Sequence, residues 1–337
     1  MGDGRRKACS MQQAAPPSRV VAAPGFWWQR LTGVGRRATG VGQRVTGKRV
    51  TARVTLAPVK VGLIYVNGAA PDAAGPYAAR AESLGFESLW TTEHVVVPSG
   101  YRSTYPYSRS GRMAGGAEDF PSPDPLIWLA FAAAATTRIR LATGILILPQ
   151  RNPVVLAKEV ATLDRLSGGR VTLGVGVGWL EEEFRALGVP FAGRGERTDE
   201  YVAVMRTLWT EDLASFSGPT VEFRDVYLRP APVQRPVPIV IGGHSERAAR
   251  RAGTIGDGFF PAGVEVERLP GLVAFARKWA ERAGRDPAVL EVTMGAKPTP
   301  DGVAAVVAAG VDRLVLPAPQ DPDDLERMAS ALGVVLG

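Results

Sequence analysis

The chain carries only two histidines, His94 and His244, and each stands where an apolar run gives way to a turn. His94 closes the segment SLWTTEH, directly after Glu93. An imidazole there can exchange a proton near neutral pH or donate to a charged ring. The competing reading is a hydrogen-bonded structural histidine. Neighbours on a regular strand face opposite ways, so one of Glu93 and His94 should face a cavity and the other pack outward. His244 lies in Gly242-Gly243-His244-Ser245. The two glycines leave amides unshielded, and Ser245 is a good helix cap. Arg247, Arg250 and Arg251 follow on that helix. Such a turn suits an anion, phosphate above all. Ordinary capping is the alternative, since every helix start needs it.

A second glycine pattern lies in RVTLGVGVGW, where Gly174, Gly176 and Gly178 alternate. Period-two spacing puts all three on one strand face. A bare face marks close approach by another backbone or by a flat ligand. GVGVG is not the G-x-G-x-x-G of dinucleotide sites. Glu181, Glu182 and Glu183 fill the next helical turn, where they complement the helix dipole and repel phosphate. The glycine face is therefore assigned to a flat ring or its linker. Trp179 is either a wall for that ring or a core aromatic. Two distant histidines and one cysteine make no metal-ligand cluster. There is no G-x-S-x-G elbow and no G-x-x-x-x-G-K-[ST] loop. Lys297, near the end of a later strand, could form a Schiff base and make the chain an aldolase or lyase. Nothing near it in sequence speaks for desolvation.

The elements that must position these residues begin at Val59. KVGLIYV reads as a strand, 76–84 as a helix and SLWTTEH as the second strand. Residues 95–123 form a long Ser-, Tyr-, Pro- and Gly-rich loop, and a loop this long inside a compact fold is usually functional. A helix over 124–135 follows. Then come strand IRLATGILIL, a helix over 153–166 and strand RVTLGVGVG. Helical patterns cover 180–187 and 196–210, and TVEFRDVYLRP reads as a small hairpin. PIVIGG, DGFFPAG, LEVTMGA and RLVLPA are strands five to eight, with helices over 245–253, 267–283, 301–309 and 322–332. Val, Ile and Leu dominate the strands, as in a parallel sheet buried on both faces. Eight alternating units predict an α/β fold, a (β/α)8 TIM barrel with a long insertion after strand two and a small hairpin before strand five. An open doubly wound sheet fits the unbroken alternation less well. In such a barrel the active site lies at the C-terminal strand ends. That rule collects Glu93, His94, Thr143, Gly144, Ile145, Val177, Gly178, Trp179 and Gly242 to Ser245.

Charge divides the 337 residues unevenly. Of 40 Lys and Arg, eleven lie in residues 1–57, which leaves 29 for residues 58–337. Of 33 acids only Asp3 lies in that first stretch, which leaves 32. The body is thus slightly acidic, and the basic balance belongs to a segment with the weak repeat TGVGRRA, TGVGQRV, TGKRV. Residues 1–57 read as a disordered basic tail or an upstream region included by choice of start codon, with an arm for anionic partners as the alternative, and residues 58–337 as the barrel domain. The body's charge gives no reason to expect a nucleic-acid partner. No run approaches the ~18 apolar residues of a membrane span, so no membrane partner is expected. The single cysteine, Cys9, permits no internal disulfide, which suits a reducing cytoplasm.

Together these segments resemble the bacterial-luciferase-like monooxygenase superfamily. The branch they look most like is the coenzyme F420 (deazaflavin)-dependent oxidoreductases. The resemblance is carried by SLWTTEH, by the run from Arg138 to Phe184, by RTDEYVAVMRTLW, and by PIVIGGHSERAARRAGTIGDGFFPAG. It implies a hydride transferred to or from a small-molecule substrate, with His94 beside the reactive centre of the ring. Glu93 completes the acid-His pair. It also implies a cofactor site shaped by Thr143, Gly144 and Ile145, where a non-prolyl cis peptide is expected, and by Val177, Gly178 and Trp179. The phosphate falls to Gly242, Gly243, His244 and Ser245. FMN with oxygen-dependent monooxygenation is the alternative cofactor and reaction; a flavin-binding protein without turnover is a further one. Relatives are often homodimers. Sugar-phosphate dehydrogenases of the superfamily keep a Glu proton donor at the position of Trp179, so their mechanism is not expected here. Tyr101, Tyr105 and Tyr107 point instead to a larger or more apolar substrate.

Overall fold

The computed structural model describes residues 59–65, 71–113 and 118–331. The basic segment 1–57, with Cys9, lies outside the described residues. In chain order the elements open with β1 (Lys60–Tyr65), α1 (Ala74–Ser83), β2 (Ser88–Thr91), α2 (Pro125–Ala134), β3 (Arg140–Thr143), β4 (Leu146–Ile147), α3 (Pro153–Leu166) and β5 (Val171–Gly176). Then come α4 (Glu181–Ala186), α5 (Arg194–Thr210), β6 (Ala214–Ser217), β7 (Glu222–Val226), β8 (Ile239–Gly242) and α6 (Glu246–Ile255). The chain continues with β9 (Gly258–Phe260), α7 (Leu269–Arg282), β10 (Glu291–Gly295), α8 (Pro300–Ala308), β11 (Arg313–Pro317) and α9 (Pro322–Ala331).

The nine-stranded sheet runs β3-β2-β1-β11-β10-β9-β8-β5-β4, every pair parallel, and β3 also pairs with β5. That pairing closes the ring. The fold is therefore the expected (β/α)8 barrel, with β3 and β4 as one wall position. The run IRLATGILIL is not one continuous strand. Between Thr143 and Leu146 it bulges, and the Gly144–Ile145 peptide is cis. The small hairpin lies where expected, but it begins earlier than TVEFRDVYLRP: β6 pairs antiparallel with β7.

Helices start where side-chain caps are supplied. Asp124 accepts from the Leu126 and Ile127 amides, with Pro125 at the first helical position of α2. Asn152 does the same for Val154 and Val155, ahead of Pro153 in α3. Each such cap contributes about 1 kcal/mol, and proline there loses no intrahelical bond. The main core lies between the barrel wall and its helices, from Leu63 and Leu89 through Leu141 and Val175 to Phe259 and Leu316. A second cluster fills the barrel interior: Ile64, Trp90, Ala142, Val240, Phe260 and Val315. Below it Arg313, almost fully buried, donates to Glu87 at 2.8 and 2.9 Å and also pairs with Glu291. The barrel is thus packed with side chains and sealed at the base by an ion-pair network, leaving its C-terminal rim for ligands.

Candidate active site

A cleft of about 1430 Å³ opens at the C-terminal ends of the strands. Its floor is the bulge between β3 and β4. A Cβ on Gly144 would sit 3.1 Å from both Ile64 Cδ1 and Trp90 Cε3, so the bulge rests directly on the interior plug. Ile145 leans across the rim. A Cβ on Gly176 would meet its Cδ1 at 2.5 Å, and one on Gly242 its Cγ2 at 2.6 Å. Gly174 would strike the Thr143 carbonyl oxygen at 1.9 Å. The alternating glycines therefore make room for the neighbouring chain, not for a flat ligand: Thr143 and Ile145 occupy the space above Gly174 and Gly176. Gly178 lies beyond the strand with φ +76°, and a Cβ there would strike Ile147 and Phe184.

All the expected site positions line the cleft except Thr143. Thr143 is buried, and its hydroxyl donates to the Gly174 carbonyl at 2.6 Å. It ties the bulge to β5 from behind. The other residues fall into a wall, a roof and a far end.

The wall is built on Glu93 and His94, which divide their work as strand alternation demands. Glu93 is buried and holds structure: the Ile147 amide donates to its Oε2 at 2.6 Å, and Arg151 Nε donates to its Oε1 at 2.9 Å. Burial pushes the Glu93 pKa up, and Arg151 with the Ile147 amide opposes that rise. Burial also works against the Arg151 charge, but Glu93 and Asp124 outweigh it and raise its pKa. Glu93 thereby links β2 to the chain just after the bulge. His94 lines the cleft. Its Nδ1 lies 3.1 Å from Glu183 Oε2, and its Nε2 has no hydrogen bond among the described residues.

The roof comes from the loop after β2. T-shaped ring contacts run from His94 to Trp179 at 5.8 Å and from Trp179 to Tyr105 at 5.1 Å. They continue from Tyr105 to Tyr107 at 5.3 Å and from Tyr107 to His244 at 5.2 Å. Edge-to-face pairs of this kind contribute about 0.5–1.5 kcal/mol each beyond burial. Trp179 is thus both wall and anchor, packed with Tyr101, Met113 and Leu180 under the loop. Burial lifts the Tyr105 hydroxyl to about 12 and Tyr107 in the same direction, so both remain neutral donors.

Two glutamates that sequence reasoning took for dipole partners tether this roof. Glu182 accepts from the Arg102 amide at 2.7 Å and from the Ser103 amide and hydroxyl at 3.2 and 2.6 Å. Those bonds, the Ser103 hydroxyl first, lower its pKa to about 2. Glu183, with no solvent-exposed side chain, accepts from the Val95 and Val96 amides. Three successive acids at a helix start carry no sign of which loop they will hold. Only the length of the 95–123 segment hinted that it must be held somewhere.

At the far end, Gly242 to Ser245 lead into α6. Gly243 has φ +128°, and a Cβ on it would meet Ala248 at 2.9 Å. Ser245 caps α6 by accepting from the Ala248 amide at 3.3 Å. The Glu246 and Arg247 amides at the helix start lack an intrahelical acceptor. His244 Nδ1 is buried with no partner among the described residues. Bare amides, a capped helix start and an orphaned ring nitrogen fit an anion here. Beyond the turn the cleft continues past Arg194, Arg247, Arg250 and Arg251 to Phe275 and Trp279. Arg251 is committed to Asp199, while the Arg250 guanidinium lies 5.3 Å above the Trp279 ring. Lys297 is exposed and outside the cleft, whose described lining holds no lysine. The Schiff-base reading has no amine at the site. Among the described residues no group of His, Cys, Asp and Glu could hold a metal ion, and no helix is long and apolar enough to cross a membrane.

Residues 52–330 match the family model for the luciferase-like monooxygenases. The chain is a member of that family. Among its relatives, an uncharacterized protein of Mycobacterium tuberculosis is 34% identical over 79% of this chain and 94% of its own length. A luciferase-like relative from Amycolatopsis mediterranei, an F420-dependent glucose-6-phosphate dehydrogenase, is 35% identical over 54% of this chain and 51% of its own. An FMNH2-dependent dimethylsulfone monooxygenase from Pseudomonas putida is 37% identical over 45% and 42%. The solved structure of a long-chain alkane monooxygenase superposes with a TM-score of 0.70 at 16% identity, covering 82% of this chain and 90% of that one. Relatives of this chain thus include both an F420-dependent and an FMNH2-dependent enzyme.

Proposed function

We propose that the chain is a deazaflavin-dependent oxidoreductase that passes a hydride to or from a small organic substrate. The observation that carries the reading is the extent of the cleft. Past the bare Gly242–Ser245 turn it runs on beyond Arg247 and Arg250, with Arg251 paired to Asp199 and with Glu196 and Glu246 also in its lining. That stretch has room and positive charge for an anionic tail beyond the phosphate, which coenzyme F420 carries and FMN lacks. The deazaflavin, when bound, supplies the hydride chemistry. The protein's residues do the rest. Gly144 and Ile145 form the floor for a flat ring, with Val177 and Gly178 at its edge. The α6 amides and Ser245 hold the phosphate. His94 Nε2 accepts or returns one proton, and the Tyr105–Tyr107 roof covers one side of the cleft.

FMN is the second reading, favoured by the similarity to the Pseudomonas putida monooxygenase. Fluorescence titration of the purified protein with each cofactor decides between them. Saturable deazaflavin binding with weaker FMN binding is expected. Tight FMN binding with no deazaflavin binding overturns the first reading. His94→Ala should lower turnover by roughly 10²-fold or more with the melting temperature preserved.

A further inference from the structure

We infer that Glu183 is a positioning residue that fixes the ring tautomer of His94. The inference rests on the reading of His94 as the proton-handling group. The geometry is specific. Glu183 Oε1 is taken by two backbone donors, Val95 N–H at 2.6 Å and Val96 N–H at 3.3 Å. Oε2 faces His94 Nδ1 at 3.1 Å. The Glu183 side chain is fully buried. An ionised carboxylate offers acceptors only, so its Oε2 can meet Nδ1 solely as an acceptor. His94 Nδ1 must therefore carry a proton, and the neutral ring must leave Nε2 bare. His94 lines the cleft and Nε2 has no partner among the described residues, so on this reading it is the nitrogen free to take a proton from a substrate and, once protonated, to donate to an oxyanion. The same carboxylate fixes the first residues of the roof loop, so the ring and the loop share one anchor.

The Glu183→Gln substitution tests this sharply because the amide is not symmetric. The Val95 and Val96 N–H groups require an acceptor at the Oε1 position, so the amide oxygen stays there. The amide nitrogen then occupies the Oε2 position and points a hydrogen at Nδ1. Turning the amide over would set its donors against two backbone donors in a buried site, which is the costlier arrangement. Nδ1 becomes an acceptor, and the neutral ring moves its proton to Nε2. The variant keeps shape and burial but reverses which nitrogen is bare.

With only two histidines in the chain, the readout is simple. Long-range ¹H–¹⁵N NMR on the full-length protein, at a pH where both rings are neutral, reports each ring's tautomer. His94→Gln identifies the His94 signals by their loss. The wild-type protein should show His94 protonated at Nδ1 and bare at Nε2. Glu183→Gln should show the reverse, with turnover lowered about 10²-fold or more; an acid-to-amide change behind a catalytic histidine costs about 10⁴ in the serine-protease example. Glu182→Gln, which touches the roof loop but not the ring, should keep the wild-type tautomer. A wild-type ring protonated at Nε2 overturns the inference without any variant, as does an unchanged tautomer in folded Glu183→Gln. If the tautomer reverses and turnover does not fall, Glu183 positions the ring as inferred, and the reading of His94 as the proton carrier is the part that fails.

Discussion

Atoms a few tenths of an ångström from conflict decide how this rim is built. Gly174 is the clearest case, since a methyl there would stand 1.9 Å from the Thr143 carbonyl oxygen. That oxygen is backbone, so it cannot swing aside as a side chain would. Gly174→Ala should therefore push the bulge out of place, lowering stability by about 1–3 kcal/mol and weakening cofactor binding; denaturant melts and the cofactor titration measure both. Unchanged affinity would mean that the bulge does not form the ring floor. The glycines were conspicuous in the sequence, but their partner was not. Alternation along one strand says which positions are bare and nothing about what the neighbouring strand does beside them. Thr143 shows the same limit: strand-end counting put it with the ligand, while its hydroxyl reaches back to Gly174. Glu93 and His94 were more legible, because a two-residue alternation is a local property.

At the scale of elements, the eight wall strands were readable because each is an apolar run bounded by turn residues. The break between β3 and β4 could not be read from the apolar pattern, since ILIL stays apolar; only the family resemblance placed a cis peptide there, and Gly144–Ile145 is cis. β6 was missed because ASFS is short and lies in a half-exposed hairpin. The loop after β2 was recognised by length alone; its attachment depends on Glu182 and Glu183, acids indistinguishable in sequence from Glu181. The Glu182 tether has a defined acid limit. Its folded pKa, about 2, lies below the ordinary 4.5. The stabilisation is therefore complete above the ordinary value and is lost as pH falls from there toward the folded one. Hydrogen exchange at the Arg102 and Ser103 amides should stay slow at about pH 5 and speed up only below roughly pH 3. Glu182→Gln should show faster exchange already at neutral pH. Fast exchange in the native protein at pH 5 would mean that the loop is held by something else.

For the molecule as a whole, the two ends of the barrel do different work. The base is closed by Arg313 with Glu87 and Glu291, and the rim holds the cleft. Arg313→Met leaves two carboxylates without their buried partner, so it should cost about 3–5 kcal/mol of stability. Cofactor affinity should change little, as urea denaturation and the same titration would report. A large loss of affinity at unchanged stability would refute that separation. The roof has a comparable independence from the floor. It is pinned at its near end to α4 by Glu182 and Glu183, whereas the floor is made by β3, β4, β5 and β8 some forty positions and more further along the chain. Changes at loop positions other than Tyr105 and Tyr107, whose rings meet Trp179 and His244, can accumulate without disturbing the bulge or the strand glycines. On the proposed reading, substrate choice and redox chemistry would be written on largely separate stretches of sequence, so that descendants of one barrel could diverge in what they accept while inheriting how they react.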